Sequence, residues 1–266
     1  MSQNLEAIAR KIRRGILQLS HQRKTPHIGS SLSCVDILVA AYWNALQTHP
    51  HDPNHPHRDR FILSKGHAAL AWYVTLCERG YFSAATLATF AQPGSKLGEH
   101  PSASGVPGVE LATGSLGHGL PVANGLALGA RIMGQSTKVM VVLSDGECNE
   151  GAVWEAALFA SAQRLDRLIA IIDFNKWQAT GRSQDVLSLD PLTDKWRAFG
   201  WNVQEVDGHS LSALSAAMSQ LHPTQPTAII AHTLKGPGVS SLEDDNHGHY
   251  AIPNDQQLQQ ALAELA

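Results

Sequence analysis

A chain of 266 residues, 43% hydrophobic and 16% charged, has the make-up of a soluble globular protein and the length for one large core. Its formal net charge of −3 offers no electrostatic case for nucleic acid, and no apolar run approaches the ~18 residues that a membrane span needs. Cys34, Cys77 and Cys148 stand far apart without a CxxC pair, which argues against a disulfide framework. The N-terminal segment is charged, with Glu6 in it, and lacks the apolar core of a secretory signal. The cytoplasm is the expected compartment.

Leu5, Ile8, Ile12, Ile16 and Leu19 recur at helical spacing and predict an opening amphipathic helix. Arg10, Lys11, Arg13 and Arg14 on it read as a solvated face. A second helical stretch runs from Val35 to Leu46, and the Pro- and His-rich run from His49 to Arg60 reads as a surface loop. Val139 to Leu143 and Leu168 to Ile172 are unbroken apolar runs, the pattern of strands covered on both faces in a parallel sheet. An Ala-rich helix, Ala152 to Gln163, separates them. Trp201 to Gly208 and Ala228 to Gly236 read as further strands flanking a helix from Leu211 to Leu221, and Asp255 to Ala266 as a last helix. The alternation predicts an α/β fold, three layers in α/β/α order around a mainly parallel sheet, in a single domain over residues 1–266.

In such sheets ligands gather beyond the carboxyl ends of the strands. Ser144, Asp145 and Gly146 follow one apolar run, and Asp173 and Asn175 the other. The Asp145 carboxylate, the Asn175 amide oxygen and a backbone carbonyl just after it would make an octahedral Mg²⁺ site with phosphate oxygens and water. Gly146 permits close backbone approach, and the helix starting near Gly151 would help to neutralise a phosphate. Asp and Gly are also ordinary turn residues, so these residues alone leave both readings open.

SDGECNEG…IIDFNKWQATG resembles the GDG…N motif of thiamine-diphosphate enzymes, with Ser144 in place of the first glycine. The resemblance implies that Asp145, the Asn175 side chain and the Trp177 carbonyl hold Mg²⁺ on the cofactor diphosphate. TPHIGSSLSCVDIL with His27, DRFILSKGHAA with His67, EHPSASGVPGVE with His100, LATGSLGHGL with Gly114, Ser115 and Leu116, and HGHYAIPND with His249 resemble transketolase segments in the same order. The chain is therefore similar to the diphosphate-binding half of that family over nearly its whole length.

That resemblance implies a transferase moving a two-carbon glycolaldehyde unit from a ketose, or its phosphate, to an aldose. His27 and His249 are the candidates for taking the proton of the donor's C3 hydroxyl, with His247 the fallback for His249. His100 would bond the C1 hydroxyl, and His67 would sit by cofactor and substrate. Gly114, Ser115, Leu116, Gly146, Glu150 and Asn175 would line the cofactor site with His67. His118 takes the family's glutamine position near the diphosphate, although Gly114, Gly117 and Gly119 equally suit a tight helix entry. Glu150 and Glu155 either lie near the junction of two active sites or serve as helix N-terminal charges. Trp177, Glu99 and Ser102 depart from the family pattern in ways that would reshape the donor pocket. The family's cofactor-activating glutamate belongs to a second domain, so the resemblance implies a separate C-terminal subunit with the pyrimidine-binding domain, in an α₂β₂ assembly. The alternatives are the α subunit of a 2-oxoacid dehydrogenase and a non-catalytic regulatory paralogue. His49, His51, His55 and His57 read as solvated, and His21, His209, His222 and His232 carry no assigned role.

Overall fold

The structure is a computed structural model and describes residues 4–102 and 105–266. The segment EHPSASGVPGVE therefore contains two positions, Ala103 and Ser104, outside the described residues. Five strands form one sheet: β1 (Arg60–Leu63), β2 (Val139–Ser144), β3 (Leu168–Phe174), β4 (Asn202–Asp207) and β5 (Thr227–His232), in the order β1-β2-β3-β5-β4. Every neighbouring pair is parallel, so the sheet is wholly rather than mainly parallel.

The alternation of side chains along β2 and β3 explains their unbroken apolar runs. Met140, Val142, Ile169 and Ile171 join one core, packed under the helices Leu5–Arg23, Val35–Ala40 and Ala69–Glu78. Val139, Val141, Leu143, Leu168, Ala170 and Ile172 join the other, under the helices Gly119–Ile132 and Gly151–Ala162. Each residue buries its side chain whichever face it points to, which is the condition that removes polar alternation. The three-layer expectation follows directly from these two cores.

Three local readings change. The strand expected over Ala228 to Gly236 ends at His232, because Thr233 to Gly236 turn inward and bond to other segments. The helical stretch from Val35 begins as an α-helix and continues as a π-helical turn over Ala41–Ala45. The basic run on the first helix is not a uniformly solvated face: Arg13 is 8% exposed and makes two bonds to Asp36, while Arg14 donates to the Leu262 carbonyl at 2.6 Å. A buried guanidinium is tolerable only with such a partner. No helix among the described residues is long and apolar enough to cross a membrane.

Candidate active site

Four strands deliver the site at their carboxyl ends. The turn after β2 carries Asp145 and Gly146, the turn after β3 carries Asn175 and Trp177, the turn after β1 carries His67, and the segment after β5 carries Lys235. Between them lies a cleft of about 350 Å³, whose walls include His67, Gly114, Leu116, Gly146, Glu150, Asn175, Trp177 and His249. Ser115 is exposed and is not part of that wall.

Asp145 is fully buried between Ser144 and Gly146, which line the cleft, and its carboxylate accepts from Ser183 Oγ at 2.7 Å and from the Gly146 amide at 2.9 Å. Burial pushes its pKa up to about 6, against the help of Ser183. Among the described residues the carboxylate has hydroxyl and amide donors but no salt bridge, and the nearby Lys65 charge does not offset its burial, so a divalent cation would complete the site. Asn175 is 3% exposed, and its Oδ1 accepts from the Trp177 amide at 3.0 Å, curling the chain over the cleft. Among the described residues no cluster of three His, Cys, Asp or Glu could hold a metal alone. A site with one carboxylate and one amide suits an ion that takes its remaining ligands from phosphate and water. Ser144 accepts from the Glu147 amide at 3.3 Å and lines the cleft without filling it.

The glycine loop is shaped by contacts with the rest of the site. Gly114 has φ 142°, and a Cβ there would lie 2.9 Å from His100 Cδ2; at Gly117, with φ 84°, it would lie 2.7 Å from Glu150 Cβ. Gly119 opens the helix Gly119–Ile132, so this segment both walls the cleft and enters a helix. His118 is exposed and turns back to the Leu116 carbonyl at 3.0 Å. Buried Glu147 accepts from Gly117 N at 2.8 Å and from Ser64 Oγ, joining the ends of β1 and β2 to this loop. Glu150 occupies the N-cap position of Gly151–Ala162 without a side-chain cap bond, and Glu155 is exposed on that helix.

Above the cleft floor the four histidines converge. The His27 ring centroid lies 5.0 Å from that of His249, 5.6 Å from His67 and 6.0 Å from His100. His27 adopts φ 70°, unusual for a residue with a Cβ, and its amide donates to the His249 carbonyl at 2.8 Å. His249 is 9% exposed within the cluster, whereas His247 is exposed and lines a different groove. Burial lowers His27 to about 4, helped by the His100 and Lys235 charges, and lowers His249 to about 4, helped by Lys235. His67 is held well below its usual value by burial and Lys65. These imidazoles are neutral near pH 7, the form that accepts a proton.

Two buried lysines carry no sequence signal. Lys65 is fully buried against Asp173 and also donates to the Ser30 carbonyl at 2.9 Å. Asp173 accepts further from Ser33 Oγ at 2.6 Å and from Thr233 Oγ1, so it is committed to the scaffold rather than free for a metal. Lys235 donates to Asn246 Oδ1 at 2.7 Å and lies 3.4 Å from His249 Nδ1. Burial, with the Lys65 charge, lowers its pKa to about 8. Replacing Lys65 with Met strands the Asp173 carboxylate, and we expect a loss of about 3–5 kcal/mol in unfolding free energy, read by denaturant titration.

A parallel α/β domain with a diphosphate-sized cleft at its strand ends, a single carboxylate beside an amide, and a histidine cluster define a thiamine-diphosphate-binding domain. Residues 5–265 match the model of the transketolase thiamine diphosphate binding domain, and the chain belongs to that family. It is 38% identical over 266 residues to an apulose-4-phosphate transketolase subunit of Phocaeicola vulgatus, covering 99% of this chain and 94% of the relative. It is 39% identical over 264 residues to a 6-deoxy-6-sulfo-D-fructose transketolase subunit of a Clostridium species, covering 98% of this chain and 96% of that one. Human transketolase matches at 37% over 251 residues, 93% of this chain but 40% of the human protein. Among solved structures, the transketolase of Leishmania mexicana superposes with a TM-score of 0.92 at 27% identity, covering all of this chain and 42% of that one. The chain thus spans about two-fifths of the single-chain transketolases and nearly all of the subunits, and the 2-oxoacid dehydrogenase alternative gives way to the transketolase one.

Proposed function

We propose that this chain is the diphosphate-binding subunit of a two-chain transketolase that binds thiamine diphosphate through Mg²⁺ and works only with a second subunit carrying the pyrimidine-binding domain, in an α₂β₂ assembly. The observation that carries the reading is the cluster of His27, His67, His100 and His249, two of which wall a cleft whose lining residues Ser144 and Gly146 flank the buried Asp145. Asp145, the Asn175 side chain and the Trp177 carbonyl would hold the metal, and Gly114, Leu116, Gly146 and Glu150, which wall the cleft, would surround the cofactor, with Ser115 outside that wall. When bound, the cofactor supplies the nucleophilic carbon and the electron sink for breaking the donor's C2–C3 bond.

The chain's own groups handle protons and orientation. His249 or His27 accepts the proton of the donor C3 hydroxyl as the bond breaks, and the same imidazolium returns it to the acceptor's carbonyl oxygen. Microscopic reversibility asks for one site to do both. His100 would bond the C1 hydroxyl, and His67 would sit by the cofactor and the donor. The names of the relatives point to specialised sugars or sugar phosphates as substrates, and Trp177, Glu99 and Ser102 are where this chain would shape that choice.

The test is capture of the tagged chain from its native host, with mass spectrometry of what accompanies it. A stoichiometric partner with a thiamine-pyrimidine domain is the expected result. A chain that emerges alone and takes up no thiamine diphosphate with Mg²⁺ supports the regulatory paralogue instead.

A further inference from the structure

The segment that leaves β5 is pinned residue by residue. Thr233 Oγ1 donates to Asp173, the Leu234 amide donates to His209 Nε2 at 2.9 Å, the Lys235 carbonyl accepts from the Asp244 amide at 2.9 Å, and the Gly236 amide donates to the Gly29 carbonyl at 3.1 Å. Of these pins, the Leu234–His209 bond comes from the far edge of the sheet. Because Nε2 accepts from a backbone N–H it carries no proton, so the ring's hydrogen sits on Nδ1. That hydrogen is donated to Asp36 Oδ2 at 2.8 Å. Asp36 in turn receives both terminal nitrogens of Arg13, at 3.1 and 2.6 Å, and is 4% exposed. Burial would raise the Asp36 carboxyl; the His209 and Arg13 bonds together hold it below the ordinary range, so it stays an acceptor.

The approach of His209 to this segment depends on Gly208. A Cβ at Gly208 would lie 2.4 Å from Thr233 Cγ2 and 3.0 Å from the His232 carbonyl oxygen, too close for any side chain. Gly208 itself donates to that carbonyl at 2.9 Å. The turn after β4 is thus pressed flat against the exit of β5, at the one place where an imidazole reaches the Leu234 amide.

We infer that His209 is a positioning residue of the active site, fixing the tautomer-specific bond to Leu234 that sets Lys235 against His249. Its ring does not line the cleft. Arg13 and Asp36 orient its ring, the ring holds the Leu234 backbone, and the backbone aims the buried Lys235 ammonium at Asn246 and His249. Asn246 carries the tie onward by donating to the Ala179 carbonyl at 2.9 Å, in the loop that covers the cleft. The consequence for turnover rests on the transketolase reading; the geometry does not.

Asn and Gln separate the two bonds of His209. Asn places an amide where Nδ1 sits, keeping Asp36 and losing Leu234, whereas Gln reaches Leu234 and gives up the full Asp36 bond. The full chain, labelled with [¹³C]lysine, is titrated by NMR, with the Lys235 signal assigned by Lys235→Met. Lys235 is expected to titrate near 8 in wild type and His209→Gln, as burial of the amine dictates. In His209→Asn it should move toward the ordinary lysine value of about 10 as the ammonium gains water. The same midpoint in all three proteins, or a shift in Gln rather than Asn, overturns the inference. Should His209→Asn not fold, Gly208→Ala, which forces the turn off Thr233 with His209 in place, is read the same way. In the enzyme reconstituted with its second subunit, His209→Asn should lower kcat by roughly tenfold or more at unchanged donor KM. If the transketolase reading fails there is no turnover to lose, while the lysine titration still decides the inference.

Discussion

Removing the imidazole of His249 or of His27 is expected to cut ketol transfer by roughly 10²–10⁴-fold, the ordinary contribution of a well-placed general base, while thiamine diphosphate still binds. The separation follows from the layering of the site. The rings of His27 and His249 meet at 5.0 Å, on segments separate from the β2 and β3 turns that carry Asp145, Gly146 and Asn175. His249 stands beside Lys235, so it is the stronger choice for a base whose protonated form must shed its proton again. An ammonium at 3.4 Å disfavours a lasting imidazolium. Steady-state kinetics of His249→Ala and His27→Ala, with calorimetry of cofactor binding, checks both halves. Unchanged turnover in either variant removes that residue from proton transfer.

Asp145→Asn should strip the chain of its cofactor and at the same time stabilise it. The buried carboxylate titrates at about 6 rather than the ordinary 3.8. Between those values the folded chain keeps a proton that the unfolded chain has lost, so stability falls as pH rises through this window. At pH 7 the whole penalty is present, about 2–3 kcal/mol at ~1.4 kcal/mol per unit. An amide removes the charge and keeps the shape, with Ser183 free to turn its hydroxyl. In chelator at pH 7, the variant should melt several degrees above wild type, with the gap closing toward pH 4. Without its single carboxylate the metal site should lose at least ~100-fold in affinity for Mg²⁺ and thiamine diphosphate. A variant that is destabilised at pH 7, or that binds the cofactor normally, would contradict this reading of the floor of the cleft. Function here is held at a cost in stability.

The parts of this molecule that sequence can disclose are those whose pattern is local. The runs Val139 to Leu143 and Leu168 to Ile172 announce doubly covered strands because nothing polar interrupts them. Asp145 and Asn175 follow from a motif with fixed spacing, and His27, His67, His100 and His249 from the segments around them. β1 is not legible as a strand, since four residues of RFIL carry too little periodicity. The helix Gly119–Ile132 is hidden by its glycines and by Pro121, which is tolerated in the first turn because its missing N–H would be unpaired anyway.

The residues that escape sequence reading altogether are long-range. Lys65 is 108 positions from Asp173, which the sequence offers only as a strand-end carboxylate, and Arg13 and Asp36 meet only across packed helices. A lysine or arginine looks like surface until its partner is known, which is why the basic run on the first helix reads as solvated. His209 is silent for the same reason: its two partners, Asp36 on the helix Val35–Ala40 and Leu234 just beyond β5, lie on either side of it in the chain and adjoin it only in the folded molecule.

The most direct test of the account is a ketol-transfer assay with purified chain, purified second subunit, thiamine diphosphate and Mg²⁺, following two-carbon transfer from a ketose to an aldose by mass spectrometry. The account predicts no turnover from either chain alone and turnover from the mixture, abolished when either thiamine diphosphate or Mg²⁺ is withheld. Turnover by this chain without a partner, or a complex that binds the cofactor and transfers nothing from any ketose or ketose phosphate, would contradict it.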